Sequence, residues 1–467
     1  MVFSSTIFLF GFLPLSLLIY YIMPLKGRNL ALFLLSLVFY GFGEPTYVAV
    51  MLFSVAVAYL TGFPIGKYRE SNPKKAKFWL ILSVCLNLGM LLFFKYTNFF
   101  IENINALIGL FGAEIPPANM HLPLGISYFT FMSVSYLVDV YRGEIKPSNN
   151  IVSFGSYITM FPKLISGPIT EFNDLAPELR SRTISVENIE NGLRTFIIGM
   201  GAKVILADNM STLWAGMSRY GYESMSCPYA WLGAIGYSFQ LYFDFLGYSL
   251  MAMGVGTMLG LTIPKNFDHP YTSRSISEFW RRWHMTLGRW FKKYIYFPLG
   301  GSRCSTGKIV RNTLIVWAFT GLWHGASWNF VLWGLIFFGL LMLERFWLGK
   351  YLAKSKILSH VYVCFIIPLT WVVFAISDMG DIGTYFSRLF PLGGSPDFVT
   401  TKDFWNALGD YWYLLIGCII FSLPYPAKLY ERYKNHFVTN IILIAIFIIS
   451  MVLIKTTTNN PFLYFRF

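Results

Sequence analysis

Charged side chains are scarce in this sequence. Asp, Glu, Lys and Arg make up 13% of its 467 residues, whereas hydrophobic residues make up 55%. A soluble chain of this length would form two or three domains with charged surfaces. Soluble cores could not conceal the apolar surface that a mean hydropathy of +0.53 implies. The composition therefore excludes a soluble globular protein and indicates a polytopic helical membrane protein.

The sequence also lacks the patterns of several common functional sites. Its five cysteines include no CxxC pair, so neither a zinc site nor a disulfide framework is expected. P-loop, GxSxG and HExxH motifs are absent. Gly254, Gly256 and Gly260 have a spacing similar to a dinucleotide fingerprint, but no strand precedes them, and we expect close helix packing instead. We predict no bound metal or cofactor.

Long apolar runs are what the chain does contain, and they predict its membrane spans. Their approximate limits are 3–23, 30–42, 47–63, 78–100, 122–141, 151–169, 188–207, 229–260, 310–343, 358–376, 411–424 and 438–454. Pro123, Pro162 and Pro168 interrupt two of these runs. Such interruptions predict re-entrant pieces, which a membrane protein tolerates where other protein covers the backbone.

The net charge of +14 comes from Lys and Arg in short loops between the apolar runs. The cytoplasmic loop bias and contact with anionic membrane lipids explain this pattern, and nucleic acid is not an expected partner. Basic loops at 67–77, 350–356 and 428–434 are predicted to be cytoplasmic, and the acidic segment 378–410 extracytoplasmic. Both termini then fall on the extracytoplasmic side.

Two histidines, His284 and His324, flank one basic segment. His324 lies in an apolar run that contains no charged residue between Leu314 and Leu343. An ionisable side chain in such a run is costly, so it is a functional candidate. The alternative is a packing histidine that is satisfied by a backbone carbonyl.

The segments around these histidines resemble the membrane-bound O-acyltransferase family, in a branch similar to bacterial alginate O-acetyltransferases. The motifs that carry the resemblance are FWRRWH at 279–284, YFPLGG at 296–301 and GLWHG at 321–325. Four further matching segments extend it over nearly the whole chain, in order: 123–131, 161–169, 242–249 and 460–465.

The resemblance implies a fold and an activity. The fold is all-α, with roughly eleven transmembrane helices and with re-entrant and interfacial helices around a central cavity, in one integral domain over 1–467. The activity is transfer of an acetyl group from cytoplasmic acetyl-CoA, across the membrane, to a cell-surface or secreted polysaccharide. His324 matches the family's catalytic base, which takes the proton of an attacking hydroxyl. His284 would orient the donor or polarise the thioester carbonyl.

The resemblance further implies a bacterial cytoplasmic membrane and a partner outside it. The expected partner is a separate extracytoplasmic acyltransferase of the SGNH-hydrolase type, so the polysaccharide would be reached indirectly. Within the same enzyme class the alternative is D-alanyl transfer to teichoic acid from a carrier protein. From another class, a transporter that flips a glycan or lipid intermediate would need no catalytic base.

The basic segment that surrounds His284 and ends before His324 is a candidate donor-binding surface. It holds nine Lys and Arg residues between 274 and 311, with Glu278 as its only acid. A lipid-contacting cytoplasmic loop explains this charge, and so does a docking surface for the phosphates of an acyl donor. The two interpretations are compatible. The candidate donor-binding residues are Arg281, Arg282, Trp283, Arg289, Lys292 and Lys293.

Four other residues are candidates to line a cavity or to support the fold. Asp244 is the only charge in its apolar run, four residues after Gln240. We expect Asp244 to be a structural anchor between helices, because the acid that usually follows in the family is replaced by Leu250. Lys163 either lines a cavity or reaches the membrane surface. Trp323 directly precedes His324.

The C-terminal residues 459–467 are nearly all aromatic. An aromatic anchor at the membrane interface is one interpretation. In the other, the tail plugs the outer mouth of the cavity and presents Tyr464, the only hydroxyl in 461–467, towards His324. A tyrosine next to a base can act as a covalent nucleophile. It would then relay the acetyl group to the partner enzyme.

Overall fold

The structure is a computed structural model that describes residues 2–391 and 399–456. Within these two ranges the secondary structure is helical and contains no β-strand, which confirms the all-α prediction. Helices suit a membrane because each one satisfies its own backbone hydrogen bonds.

Eight helices in the described ranges are long and apolar enough to cross a membrane. This is fewer than the roughly eleven crossings expected, because several predicted spans form shorter helices. The first run forms Phe8–Ile22, and the run 122–141 forms the 17-residue helix Ile126–Arg142. The run 151–169 forms only Ile151–Thr159, followed by turns over 161–166 that contain Pro162 and by irregular chain that contains Pro168.

The chain divides into two compact units. The first comprises Met1–Phe196 and Met251–Pro264. Its helices are α1 (Phe8–Ile22), α2 (Leu25–Gly43), α3 (Val48–Ser71), α4 (Pro73–Phe111), α5 (Ile126–Arg142), α6 (Ile151–Thr159) and α7 (Phe172–Arg180). The expectation of one integral domain over 1–467 stays a prediction.

Buried polar contacts connect three apolar helices of this unit. The Ser54 hydroxyl on α3 donates a hydrogen bond to Oδ1 of Asn87 on α4 over 2.5 Å. The Ser133 hydroxyl on α5 lies 3.1 Å from the same Ser54 oxygen. Small polar side chains of this kind hold membrane helices together.

The second unit comprises Ile197–Leu250 and Lys265–Phe467. The chain enters it within α8 (Val186–Tyr220) and leaves it for the last residues of α9 (Cys227–Met258). The remaining helices are α10 (Ile276–Arg282), α11 (Met285–Phe291), α12 (Thr306–His324), α13 (Trp328–Leu352), α14 (Lys356–Ala375), α15 (Met379–Leu389), α16 (Lys402–Ser422), α17 (Pro424–Tyr433) and α18 (Phe437–Thr456).

Glycines allow α8 and α9 to approach closely. A methyl group on Gly254 would lie 2.5 Å from the carbonyl oxygen of Gly192. One on Gly247 would lie 2.7 Å from the carbonyl oxygen of Gly199. Backbones this close leave no room for a Cβ atom, so Gly254 serves close helix packing, as the sequence indicated.

The run 310–343, predicted as one span, is instead a hairpin of α12 and α13. The two helices meet at glycines: a methyl group on Gly321 would lie 2.4 Å from the carbonyl oxygen of Phe330. One on Gly334 would lie 2.5 Å from that of Trp317. Hydropathy alone missed the break because residues 325–327 are small and uncharged. The hairpin places His324 at the last residue of α12.

Candidate functional site

His284 occupies a tight turn between two short helices. The Ser275 hydroxyl caps α10 by accepting the Glu278 backbone N–H over 3.0 Å. The chain then turns at His284, whose φ of 44° and ψ of 52° lie in the left-handed region. Residues other than glycine seldom adopt this conformation, and they do so mostly where the surroundings enforce it. His284 is 1% exposed.

Asn266 contacts the turn at three points. Its Oδ1 lies 3.1 Å from Nδ1 of His284. The same oxygen accepts the backbone N–H of Thr286 over 3.2 Å and the Thr286 hydroxyl over 2.9 Å. Asn266 was not among the site residues predicted from the sequence, because a single asparagine in a loop forms no recognisable pattern.

Burial governs the protonation of His284. It lowers the pKa of the imidazole from 6.5 to about 3, because a charged ring loses its hydration in an apolar environment. The ring of Phe245 contacts the imidazole edge to face, with 4.7 Å between ring centroids. His284 is therefore a neutral imidazole at physiological pH.

His324 lies among aromatic rings. Its imidazole packs against Trp333 and Phe374 with centroid distances of 5.0 and 5.1 Å, both with steep interplanar angles of 81°. Asn329 fixes this arrangement by donating to the carbonyl oxygens of Val373 and Phe374 over 3.2 and 3.1 Å. The α12–α13 hairpin and the end of α14 together build this surrounding.

Trp323 is the neighbour that the two histidines share. Its indole lies 5.8 Å from the His284 ring and 4.9 Å from the His324 ring, measured between centroids. The histidines are 40 residues apart in sequence, and the fold brings both to one indole. An imidazole in such a setting can accept or donate a proton without solvent competition.

The basic residues predicted to bind the donor differ in their exposure and in their ion pairs. Arg281, Arg289 and Lys292 are exposed, and Lys293 is half-buried. Arg282 is partly committed, because it pairs with Glu278 over 2.6 Å and donates to the Thr272 hydroxyl over 3.1 Å.

Trp283 differs from the basic residues predicted with it. It is 1% exposed and stacks on Phe279, with Trp371 at a centroid distance of 5.0 Å. Its ring belongs to the aromatic core of the second unit, and its role in donor binding stays a prediction.

Glu344 is a second residue that the sequence did not single out. It lies in α13 and is 7% exposed. Its carboxylate accepts the backbone N–H groups of Ile276 and Ser277 over 2.5 and 3.0 Å, and the Ser277 hydroxyl over 2.9 Å. The acid therefore caps the first turn of α10, where the positive end of the helix dipole favours it.

Asp244 forms part of a buried ionic group. Its carboxylate pairs with Lys203 over 2.8 Å, and Lys203 also pairs with Asp208 over 2.5 Å. Lys203 and Asp208 lie on α8, so the ion pair of Asp244 with Lys203 connects α9 to α8, and the structural role of Asp244 stays a prediction. Lys203 and Asp208 themselves escaped the sequence analysis. Gln240, one turn earlier on α9, is 8% exposed.

Lys163 is buried in the first unit. Its ammonium group lies 2.5 Å from the Thr170 hydroxyl and 4.3 Å from the centre of the Tyr157 ring. The side chain is 1% exposed, and its place at a cavity stays a prediction. Tyr464 lies outside the described residues.

Comparison with known proteins agrees with the motifs. The sequence profile of the membrane-bound O-acyltransferase family matches residues 126–376. The chain is similar to the probable alginate O-acetylase AlgI of Azotobacter vinelandii, with 38% identity over 84% of this chain and 79% of that protein. It is similar to the peptidoglycan O-acetyltransferase of Helicobacter pylori, with 30% identity over 100% of this chain and 98% of that protein. A teichoic acid D-alanyltransferase of Streptococcus thermophilus is 28% identical over 49% of this chain and 58% of its own length.

Proposed function

Because the chain belongs to the membrane-bound O-acyltransferase family, we propose that it transfers acetyl groups from cytoplasmic acetyl-CoA for the O-acetylation of a cell-surface or secreted polysaccharide. The observation that carries this proposal is the pair of relatives matched over most of their length. One is named for alginate and the other for peptidoglycan, and both names specify O-acetyl chemistry. The acetyl group is common to them, and both acceptors contain glycan chains.

His324 is the general base in this proposal. The oxygen of an acceptor hydroxyl attacks the thioester carbonyl carbon, and the imidazole takes the hydroxyl proton. The tetrahedral intermediate then collapses, the carbon–sulfur bond breaks, and the thiolate of coenzyme A leaves. Transfer of the proton from a positioned base contributes roughly 10²–10⁴ in rate. The aromatic rings around His324 support this role because they exclude water that would hydrolyse the thioester.

Donor binding belongs to the basic residues around His284. The exposed Arg281, Arg289 and Lys292 and the half-buried Lys293 carry four positive charges between residues 281 and 293. Coenzyme A presents phosphates that guanidinium and ammonium groups hold well. Arg282 supports the same surface through its pair with Glu278.

His324 lies beside the C-terminal end of α14, and this position supports delivery of the acetyl group across the membrane. His324 contacts Phe374, which lies 18 residues after Lys356, a rise of about 27 Å along a helix. The chain is a multipass membrane protein. We place the basic end of α14 in the bacterial cytoplasm and the acidic segment after it outside, with both termini extracytoplasmic. The base then lies near the outer end of α14.

An extracytoplasmic acyltransferase of the SGNH-hydrolase type would complete the transfer to the polysaccharide. Membrane lipids surround the apolar helices, and the tail with Tyr464 would pass the acetyl group to that partner. D-alanyl transfer to teichoic acid remains the second candidate, because a D-alanyltransferase matches about half of the chain.

Sealed membrane vesicles test this proposal. Inside-out vesicles that contain the full chain, its acceptor polymer and the partner enzyme receive radiolabelled acetyl-CoA on their outer, originally cytoplasmic face. We expect alkali-labile label on the polymer, and none in right-side-out vesicles given the same donor. Two results would overturn the acetyl proposal. One is that inside-out vesicles place no label from acetyl-CoA on the polymer, and the other is that the polymer is labelled only when a labelled D-alanyl carrier protein is the donor.

A further inference from the structure

Asn266 contacts the His284 turn through its backbone as well as its side chain. Its carbonyl oxygen accepts the backbone N–H of Met285 over 2.9 Å. Its side-chain oxygen lies 3.1 Å from Nδ1 of His284, and its Nδ2 lies 3.3 Å from the Ser249 hydroxyl. Asn266 and Ser249 are each 1% exposed. A polar side chain buried with this many partners fixes the turn rather than merely filling space.

The orientation of the Asn266 amide follows from its partners. A backbone N–H can only donate, and that of Thr286 points at the Asn266 side chain over 3.2 Å. The atom that faces it must therefore be the amide oxygen, because an NH₂ group there would place two donors together. The Ser249 hydroxyl on the other side accepts from the NH₂ group.

With its oxygen facing His284, Asn266 determines which ring nitrogen carries the proton. The atom opposite the amide oxygen must donate, so Nδ1 of His284 bears the hydrogen. A neutral imidazole has one hydrogen, and its other nitrogen then carries a lone pair. Burial keeps the ring neutral by lowering its pKa.

Charged side chains on the surrounding elements pair with one another. Asp244 on α9 pairs with Lys203 over 2.8 Å. Asp268, two residues after Asn266, pairs with Lys265 over 2.7 Å. Arg282 on α10 pairs with Glu278 over 2.6 Å, and Arg281 and Arg289 are exposed. Burial, which lowers the pKa of His284, therefore keeps the ring neutral.

We propose that Asn266 is a positioning residue that holds His284 in the Nδ1–H tautomer, so that Nε2 accepts a hydrogen bond from an N–H or O–H group of the substrates. The inference rests on the proposed acetyl transfer and assigns the part that His284 plays in it. An Nε2 lone pair cannot donate to the thioester carbonyl. The tautomer therefore favours orientation of a substrate over polarisation of the carbonyl.

Four variants of the full chain separate the oxygen of Asn266 from its NH₂ group. Asn266→Asp keeps an acceptor opposite Nδ1, and its carboxylate retains both Thr286 donors. Asn266→Leu keeps the volume and removes the acceptor. Asn266→Ala removes both the volume and the acceptor. Ser249→Ala removes only the partner of the NH₂ group. Size-exclusion chromatography and thermal midpoints in detergent report folding.

Initial rates of acetyl transfer at about pH 8, where a carboxylate partner has the least tendency to hold the ring protonated, give the first readout. We expect Asn266→Asp and Ser249→Ala to stay close to wild type. Asn266→Leu and Asn266→Ala should lose on the order of 10- to 100-fold in kcat/KM, as when the hydrogen-bond partner of a metal-bound histidine is removed. A folded Asn266→Leu variant with wild-type kcat/KM would overturn the inference.

Magic-angle-spinning NMR of membranes with ¹⁵N-histidine reads the tautomer directly and needs no activity. The wild-type spectrum is compared with that of His284→Gln, which identifies the His284 signals among six histidines. We expect a protonated Nδ1 and an unprotonated Nε2. A protonated Nε2 would refute the inference even if acetyl transfer is confirmed, whereas absence of transfer in wild-type vesicles would refute the proposed function and leave the NMR result standing.

Discussion

His324 is a polar ring held by apolar contacts. Trp333 and Phe374 meet it at 81° between ring planes, a geometry in which aromatic rings attract one another edge to face. Such packing fixes the orientation of the ring through contacts with its apolar neighbours. At the residue scale, this surrounding suits a base that must meet a substrate hydroxyl.

Replacement of His324 tests this role. We expect His324→Ala, and His324→Gln, which fills more of the volume, to lower acetyl transfer by on the order of 10²- to 10⁴-fold. Protein abundance in the membrane should stay near wild type. Radiolabel on the polymer measures the first quantity and immunoblotting of membranes the second.

His360→Ala is the matched control for this loss. His360 is half-buried on α14, and its Nδ1 lies 3.2 Å from the carbonyl oxygen of Ser273. A loss confined to position 324 indicates chemistry at that ring. Wild-type transfer in either His324 variant would show that another group is the base.

At the scale of elements, α10 is a seven-residue helix that depends on its neighbours. Isolated helices of this length do not form in water. Its N-terminus is capped from within the chain by Ser275 and from α13 by the Glu344 carboxylate. The positive charges of the arginines at its C-terminal end interact favourably with the negative end of the helix dipole. Tertiary contacts therefore stabilise α10, which carries Arg281 and Arg282 and leads into the His284 turn.

Removal of the Glu344 cap should loosen α10. Glu344→Ala leaves the buried N–H of Ile276, the partly buried N–H of Ser277 and the Ser277 hydroxyl without their acceptor, and an unsatisfied buried donor costs about 1–3 kcal/mol. We expect a lower thermal midpoint for Glu344→Ala and an intermediate one for Glu344→Gln, which keeps one acceptor oxygen. Glu431→Ala, at an exposed acid of α17, is the control and should unfold like wild type. Equal midpoints for all four proteins would show that the cap contributes nothing.

Charge reversal on the exposed basic surface tests donor binding. We expect Arg281→Glu with Lys292→Glu to weaken acetyl-CoA binding strongly and to reduce its dependence on salt, since attraction between surface charges is screened over about 8 Å at physiological ionic strength. Isothermal titration in detergent at several salt concentrations measures both. These two positions are chosen because Arg282 already pairs with Glu278.

A second basic segment provides the control for this experiment. Lys350→Glu with Lys354→Glu reverses two charges at the end of α13 and just after it, in a segment that is also predicted to be cytoplasmic. If lipid contact alone explains the basic residues, both double variants will bind acetyl-CoA as wild type does. Weakened binding only in the Arg281 and Lys292 variant would assign the surface to the donor.

At the scale of the whole molecule, the features that could be predicted from the sequence are those with a repeated or local sequence pattern. The apolar runs predicted an all-α membrane fold, and the motifs around His284 and His324 led to the family. The break between α12 and α13 was not predictable from hydropathy, because residues 325–327 contain no charge or proline. The glycine contacts that define that hairpin depend on two backbones meeting, which a linear pattern does not encode.

The residues that support the site were harder to predict, for a related reason. Asn266 acts through a turn in the left-handed region at His284, 18 residues away. Glu344 acts on a helix that begins 68 residues before it. Such partners are ordinary polar residues whose function appears only when the chain has folded. Local spacing can identify a reactive side chain, whereas tertiary contacts identify its supports.

The aromatic tail poses the last question at this scale. If the acetyl group passes from the donor near His324 to an enzyme outside, a hydroxyl of this chain can carry it between them, and Tyr464 is the only hydroxyl in 461–467. Deprotonation by an adjacent base would make its phenolic oxygen the nucleophile for the thioester carbonyl. An interface anchor, the alternative, needs the ring but not the hydroxyl.

Tyr464→Phe separates these two roles because it keeps the ring and removes only the oxygen. Under the relay we expect acetylation of the polymer to stop, while membrane abundance and acetyl-CoA binding stay at wild-type values. Mass spectrometry of the C-terminal peptide, from chain incubated with acetyl-CoA without its partner, should show one acetyl group on Tyr464 and none in His324→Ala. Tyr294→Phe removes a hydroxyl from a different aromatic segment and serves as the control. Polymer acetylation at the wild-type rate in Tyr464→Phe would leave the tail as an anchor and would require the acetyl group to reach the partner directly from the donor at His324.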